Sequence, residues 1–202
     1  VVAGQRETMH DDHPLGSLWA FHMSTDAGSW CVAYRFAETP LRVSRLGAAK
    51  LGLDADKRYV AFDFWAKEFL GEVDGELDVP ALPLGHCQVI ALREVLDRPQ
   101  FMASTRHVSM DAVSVKSQQF DGRELTMELA GVAGTCEEYF FHCPAGWTLS
   151  GSGVEGGSGE IEAGAAGKAN PALKGSREAA AGQCVGVRVH FTAPRVVLRL
   201  EC

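Results

Sequence analysis

The chain has too little positive charge to grip nucleic acid. Nineteen Lys and Arg stand against 26 Asp and Glu, a net charge of −7 over 202 residues, and phosphate binding needs clustered cations. No run approaches the ~20 apolar residues of a spanning helix, so no membrane segment is expected. A Cys-x-x-Cys pair is missing, which argues against structural zinc. The glycines of 153–159 precede no helical pattern, so no phosphate-cradling loop is expected. The opening residues, Val1 to His13, have no charged-then-apolar leader layout and do not start with Met. A chain trimmed, or excised from something longer, is the expectation.

What is present suits a globular β protein. A hydrophobic fraction of 46% with 22% charged residues can build a real core. Six cysteines invite a disulfide framework, yet Cys136 and Cys143 lie on one predicted strand. They would face opposite ways, roughly 23 Å apart at ~3.3 Å per residue. Cys184 and Cys202 flank a predicted hairpin and also face apart, whereas Cys31 with Cys87 stays open as a pair. Free, mostly buried thiols are expected.

Period-two alternation dominates the chain. Residues 17–24 and 29–36 are aromatic-rich runs split by the turn Thr25-Asp26-Ala27-Gly28. Residues 58–65 put Val60, Phe62 and Phe64 on one face, with Tyr59, Ala61, Asp63 and Trp65 on the other. Around a loop Phe120-Asp121-Gly122, Val113 and Val115 are expected opposite Leu129 and Met127, with Gly122 in the left-handed region. Near the end, Val187 is expected to pair with Leu198 and Val189 with Val196, forming a closing hairpin. One short helix is predicted around Ala179.

The expected fold is an all-β antiparallel β-sandwich of two packed subdomains meeting near Leu96–Pro99. It comprises an N-terminal linker 1–16, a first β-subdomain 17–98 and a second 99–202. A Gly/Ala/Ser-rich, structureless insertion 150–183 interrupts the second.

Candidate chemistry is thin. His10-Asp11-Asp12-His13 looks like a metal motif, but Pro14 ends any helix that could bring the two imidazoles together. His86-Cys87 and His142-Cys143 are adjacent on strands, where neighbours project to opposite faces, so neither pairs a nucleophile with its base. Glu72, Asp74, Glu76 and Asp78 read as a solvated strand face rather than a glycosidase carboxylate pair. No catalytic residue, cofactor or metal ligand is therefore assigned. Trp30, Trp65 and Trp147 are the candidates for a sugar-stacking platform, with Tyr59 and Tyr139, although rings in strands more often serve packing.

One resemblance carries further. Tyr59-Val60-Ala61-Phe62-Asp63-Phe64-Trp65, then Glu68-Phe69-Leu70-Gly71, then Leu82-Pro83-Leu84-Gly85-His86-Cys87 and on to Arg93 form an ordered series. It resembles the C-terminal β-domain of α-galactosidase (melibiase)-like glycoside hydrolases. Arg98-Pro99-Gln100-Phe101 through Ser104-Thr105-Arg106-His107-Val108 looks like the segment leading into that domain's last part. Trp19-Ala20-Phe21-His22 and Ser29-Trp30-Cys31-Val32-Ala33-Tyr34 also fit. The likeness spans residues 17–149 and, more loosely, 184–202. It departs at Tyr34-Arg35-Phe36, where the family commonly has an Asn.

In that family the catalytic aspartates sit on a (β/α)₈ barrel upstream, and no alternating strand–helix pattern exists here. The resemblance thus implies a non-catalytic accessory β-sandwich that buttresses a glycosidase barrel domain and contributes to oligomer contacts. The alternatives are a free-standing module whose partner is carbohydrate, and a protein-interaction sandwich with an exposed sheet edge.

Overall fold

A computed structural model describes residues 3–7, 18–42, 44–162 and 182–202. Among these residues the chain is an all-β antiparallel sandwich, with a single 3-10 turn at Ala49–Leu51. The first sheet holds β1 (Ala3–Glu7), β2 (Leu18–Thr25), β3 (Gly28–Phe36), β4 (Ser44–Gly47), β5 (Arg58–Asp63), β6 (Glu68–Asp74), β7 (Glu76–Val79) and β8 (Cys87–Glu94), in the order β1-β2-β3-β8-β5-β6-β7-β4. The second holds β9 (Gln100–Ser104), β12 (Cys136–Cys143), β14 (Gly157–Glu162) and β15 (Gln183–Phe191), ordered β14-β15-β12-β9. The third holds β10 (Val115–Phe120), β11 (Glu124–Ala130), β13 (Gly151–Glu155) and β16 (Arg195–Glu201), ordered β10-β11-β16-β13.

The eight-stranded sheet rolls on itself. One edge strand, β1, meets the 3-10 turn that follows the other edge strand, β4, and His22 Nε2 lies 2.7 Å from the Leu51 carbonyl oxygen. Leu18, Ala33, Tyr59, Ala61, Leu70, Ile90 and Leu92 fill the inside of the roll. The alternate residues Trp30, Val32, Val60, Phe62, Phe69 and Val89 face outward and meet Met102, Ala103 and Phe140 of the second sheet. That sheet's other face, with Phe141, Val187 and Val189, packs on Leu125, Met127, Leu129 and Leu198 of the third. The second sheet is therefore covered on both sides, which is why all of β9 and the last five residues of β12 are buried.

The closing strands depart from the sequence expectation. β15 and β16 do not hydrogen-bond to each other: β15 pairs with β12 and β14, and β16 with β11 and β13. Val187, Val189, Val196 and Leu198 all point into one core, but from opposite sheets, because the chain changes layer at Thr192-Ala193-Pro194. Cys184 and Cys202 accordingly do not flank a hairpin. In the β10–β11 hairpin Gly122 does take a positive φ of 101°, yet Val115 pairs with Leu129 and Phe120 with Leu125. A bulge between Val115 and Ser117 restores the inward face. Val113 falls before the strand, on the surface. Asp121 Oδ1 closes the turn by accepting the N–H groups of Arg123 (2.9 Å) and Glu124 (2.7 Å).

Two segments read as unstructured contain strands. Part of the 1–16 linker is β1, paired to β2. Part of the 150–183 insertion is β13 and β14, which extend the third and second sheets by pairing with β16 and β15. Their Gly- and Ser-rich composition suits edge positions, where the ladder supplies hydrogen bonds that the side chains do not. Gly157 has no room for a Cβ against the His190 carbonyl. The His10–His13 motif and the helix around Ala179 lie outside the described residues.

Candidate functional site

The outward face of the rolled sheet is covered at one end and open at the other. At the covered end Trp30 is buried and donates its indole N–H to the Ser109 carbonyl at 2.8 Å. Along β2 and β3 the same face carries Met23, Phe21, Tyr34, Trp19 and Phe36, which with His107 and Val113 line a groove of about 680 Å³. The β2–β3 register sets Trp19 opposite Tyr34. Trp19 stacks on Phe21 at 6.4 Å and 15°, Phe21 meets Tyr34 edge-on at 5.1 Å, and Tyr34 stacks on Phe36 at 6.4 Å and 8°. Such contacts hold the rings as one strip. Phe36 is 42% exposed and Val113 45%.

The polar groups of this groove turn inward. His107 Nδ1 accepts the Ser109 N–H at 3.1 Å and lies 2.9 Å from its hydroxyl. Tyr34 donates its hydroxyl to the Val108 carbonyl at 3.5 Å, and burial pushes that phenol above its ordinary pKa. The loop is held from beneath by buried Asp111. Its carboxylate accepts from the hydroxyls of Ser104 (2.8 Å) and Ser114 and from the N–H groups of Val113 (2.8 Å) and Ser114 (2.7 Å). The groove is consequently apolar and pre-formed.

The tryptophans singled out by sequence stand in three separate places. Trp30 is core. Trp65, 60% exposed, occupies the β5–β6 turn, its N–H bonded to Asp63 Oδ1 at 3.0 Å and its ring edge-on to Phe64. Trp147 is half-buried beyond β12, its indole donating to the Asp97 carbonyl at 3.2 Å and its ring against Phe120. Tyr59 and Tyr139 are buried in different cores. The structure brings none of the three tryptophans together. The strip it does assemble carries a signal visible in the chain: aromatics at i and i+2 on two paired strands.

Reactive groups do not converge. Among the described residues no three His, Cys, Asp or Glu side chains gather in a metal-holding group, and no helix is long and apolar enough to cross a membrane. All six cysteines are free thiols, so Cys31, buried inside the roll, is not joined to exposed Cys87. Burial pushes Cys31, Cys143 and Cys184 up to about 12, leaving them protonated and inert. One thiol–imidazole contact joins residues far apart in sequence, Cys136 Sγ to His190 Nε2 at 3.6 Å. Partial burial holds the Cys136 thiol above its ordinary range despite nearby Arg188, so it supplies no thiolate. Asp63, the acid of the motif block, is engaged by Gln88 at 2.7 Å and by the Trp65 and Ala66 N–H groups. Gln88 in turn accepts from buried Arg35. That chain of bonds is structural.

No protein-family model matches the chain, and no curated protein matches it either.

Proposed function

We propose that this chain is a non-catalytic accessory β-sandwich of a glycoside hydrolase resembling the α-galactosidases, and that its work is to dock against the enzyme's catalytic barrel. The observation that carries the reading is the aromatic groove of Trp19, Phe21, Tyr34 and Phe36, with its exposed apolar rim and its polar atoms turned inward. An exposed apolar strip of this kind is stabilised by covering it with another apolar surface. The sequence block 59–93 supports the same parentage by its resemblance.

A carbohydrate-binding module is the rival, favoured by the near-parallel stacked rings. A sugar site also needs aimed donors and acceptors, and here His107 Nδ1 and the Tyr34 hydroxyl are already engaged. The decisive experiment expresses the chain with its upstream coding region and compares the native protein with a Phe36→Glu plus Val113→Asp double variant. Docking predicts that the double variant frees the module, measured as new protease cleavage between the two parts. Unchanged cleavage sinks docking, and so does hydrolysis of nitrophenyl α-galactoside by this chain alone.

A further inference from the structure

The face of the second sheet that packs on the roll at Phe140 ends, along β12 and β15, in an exposed thiol and an exposed imidazole. Cys136 on β12 stands directly opposite His190 on β15, and both are exposed. The bond from the Phe191 N–H to the Thr135 carbonyl, at 2.9 Å, brackets the pair. That makes it a non-hydrogen-bonded pair, the kind that brings opposed side chains closest. Cys136 Sγ accordingly lies 3.6 Å from His190 Nε2. β9, the neighbour of β12 on its other side, pairs only as far as Tyr139, so no strand closes off Cys136 there.

The pair has the spacing of two metal ligands. A thiolate sulfur at about 2.3 Å and an imidazole nitrogen at about 2.1 Å on a tetrahedral ion stand about 3.6 Å apart. The separation of Sγ and Nε2 matches. The surrounding charge suits a cation as well. Partial burial leads in keeping the thiol protonated; Arg188 opposes it, and Glu137, Glu138 and Glu160 add to it. Of the cations that pair with these carboxylates, Lys67, Arg106 and Arg188, Arg188 alone reaches the thiol. The carboxylate field that disfavours a bare thiolate stabilises a dication placed beside it.

We propose that Cys136 Sγ and His190 Nε2 together hold one zinc-class divalent ion, its remaining positions filled by water. On binding, the Cys136 S–H bond breaks, its proton leaves to solvent and a metal–sulfur bond forms, while the neutral ring donates its Nε2 lone pair. Borderline-soft ions take such a thiolate–imidazole pair, whereas magnesium and calcium prefer oxygen. Two protein donors are fewer than the four of a structural site. The ion is therefore exchangeable, and the fold does not depend on it.

Cobalt(II), which mimics zinc and reports sulfur ligation by a charge-transfer absorption, tests this when titrated into the whole reduced chain. The expected result is a saturable sulfur-to-cobalt band that zinc removes and magnesium leaves in place. Cys136→Ser and His190→Ala, both surface changes, should each weaken cobalt binding at least about tenfold, since even an outer-shell partner of a metal is worth about 10- to 100-fold. Cys87→Ser, at the other exposed thiol, should change nothing. In the native chain zinc should also slow alkylation of Cys136 and not of Cys87, read by peptide mass mapping, which needs no variant to fold. Absence of the band overturns the proposal. So does undiminished affinity in folded Cys136→Ser or His190→Ala, a band lost in Cys87→Ser, or equal protection of Cys87.

Discussion

The two halves of the molecule solve the problem of burying a sheet differently. Strands β1 to β8 roll into one eight-stranded sheet until its edges meet over the 3-10 turn, and so enclose a core without outside help. Strands β9 to β16 form two four-stranded sheets laid face to face. The roll leaves an outward apolar face behind, and the second sheet covers part of it through Met102, Ala103 and Phe140. What stays uncovered is the aromatic groove. A sheet that closes on itself thus keeps an apolar face to spare, whereas paired sheets spend theirs on each other.

The largest test of this contrast is at the joint. Phe140 packs on Phe62 with ring centroids 4.5 Å apart, and truncating a buried Phe costs about 3–5 kcal/mol. Phe140→Ala is expected to lower the urea unfolding midpoint and to loosen both halves together. Leu51→Ala, inside the roll, and Leu198→Ala, between the paired sheets, cost about 2–5 kcal/mol each, and each loss should begin in its own half. Hydrogen exchange read strand by strand distinguishes them. If Phe140→Ala leaves exchange in β5 untouched, the halves are independent and the comparison fails.

A smaller effect comes from pH. His142 is fully buried on β12, and its Nε2 lies 3.3 Å from Glu72 Oε1 on β6, across the same joint. The contact is close enough for an ion pair but off the hydrogen-bonding direction, and neither ring nitrogen makes a hydrogen bond. Burial therefore wins over Glu72 and holds the imidazole pKa below its ordinary value, with Arg58, bound to Glu72 at 2.8 Å, pushing the same way. The folded form keeps the ring neutral, while the unfolded chain takes up a proton at about pH 6.5. Stability is complete above that pH and falls as pH drops toward the lower folded value, by at most about 1.4 kcal/mol per pH unit from this one group. Denaturant titrations between neutral and mildly acidic pH should show the slope in the native protein and a flatter line in His142→Phe. Parallel lines would remove His142 from the account.

The same residues show what is legible in the chain. Alternation gives away which side chains of β15 and β16 face inward, but not that they meet across a core, because period two reports a face and says nothing about hydrogen-bond neighbours. Gly122 announces its positive φ, while the register shifts because the Asp121 side chain replaces a ladder bond and a bulge absorbs the difference. β13 and β14 are invisible: glycines and serines at a sheet edge look like loop. The groove is written in Trp19, Phe21, Tyr34 and Phe36. The sugar-stacking candidates pass over Trp19 and fall instead on Trp30, which the second half buries, on Trp65 and Trp147, which lie apart, and on Tyr59 and Tyr139, which sit in different cores.

The smallest expected effect lies on the rim of that joint. Glu138 on β12 receives Lys67 of the β5–β6 turn at 2.7 Å and Arg188 of β15 at 3.3 Å, so one carboxylate links the roll to the paired sheets. Lys67, then the smaller influence of Arg188, holds its pKa below the ordinary carboxylate range despite some burial. Its contribution is present above the unfolded value and is lost as pH falls through the lower folded one. Lys67 is 54% exposed, so water and salt screen the pair, and Glu138→Gln should cost less than about 1 kcal/mol. Urea unfolding at low salt and at ~1 M salt, where the screening length shrinks to about 3 Å, separates charge from packing. A loss that survives high salt would mean that Glu138 acts as a packing residue, and the joint would then be apolar to its edge.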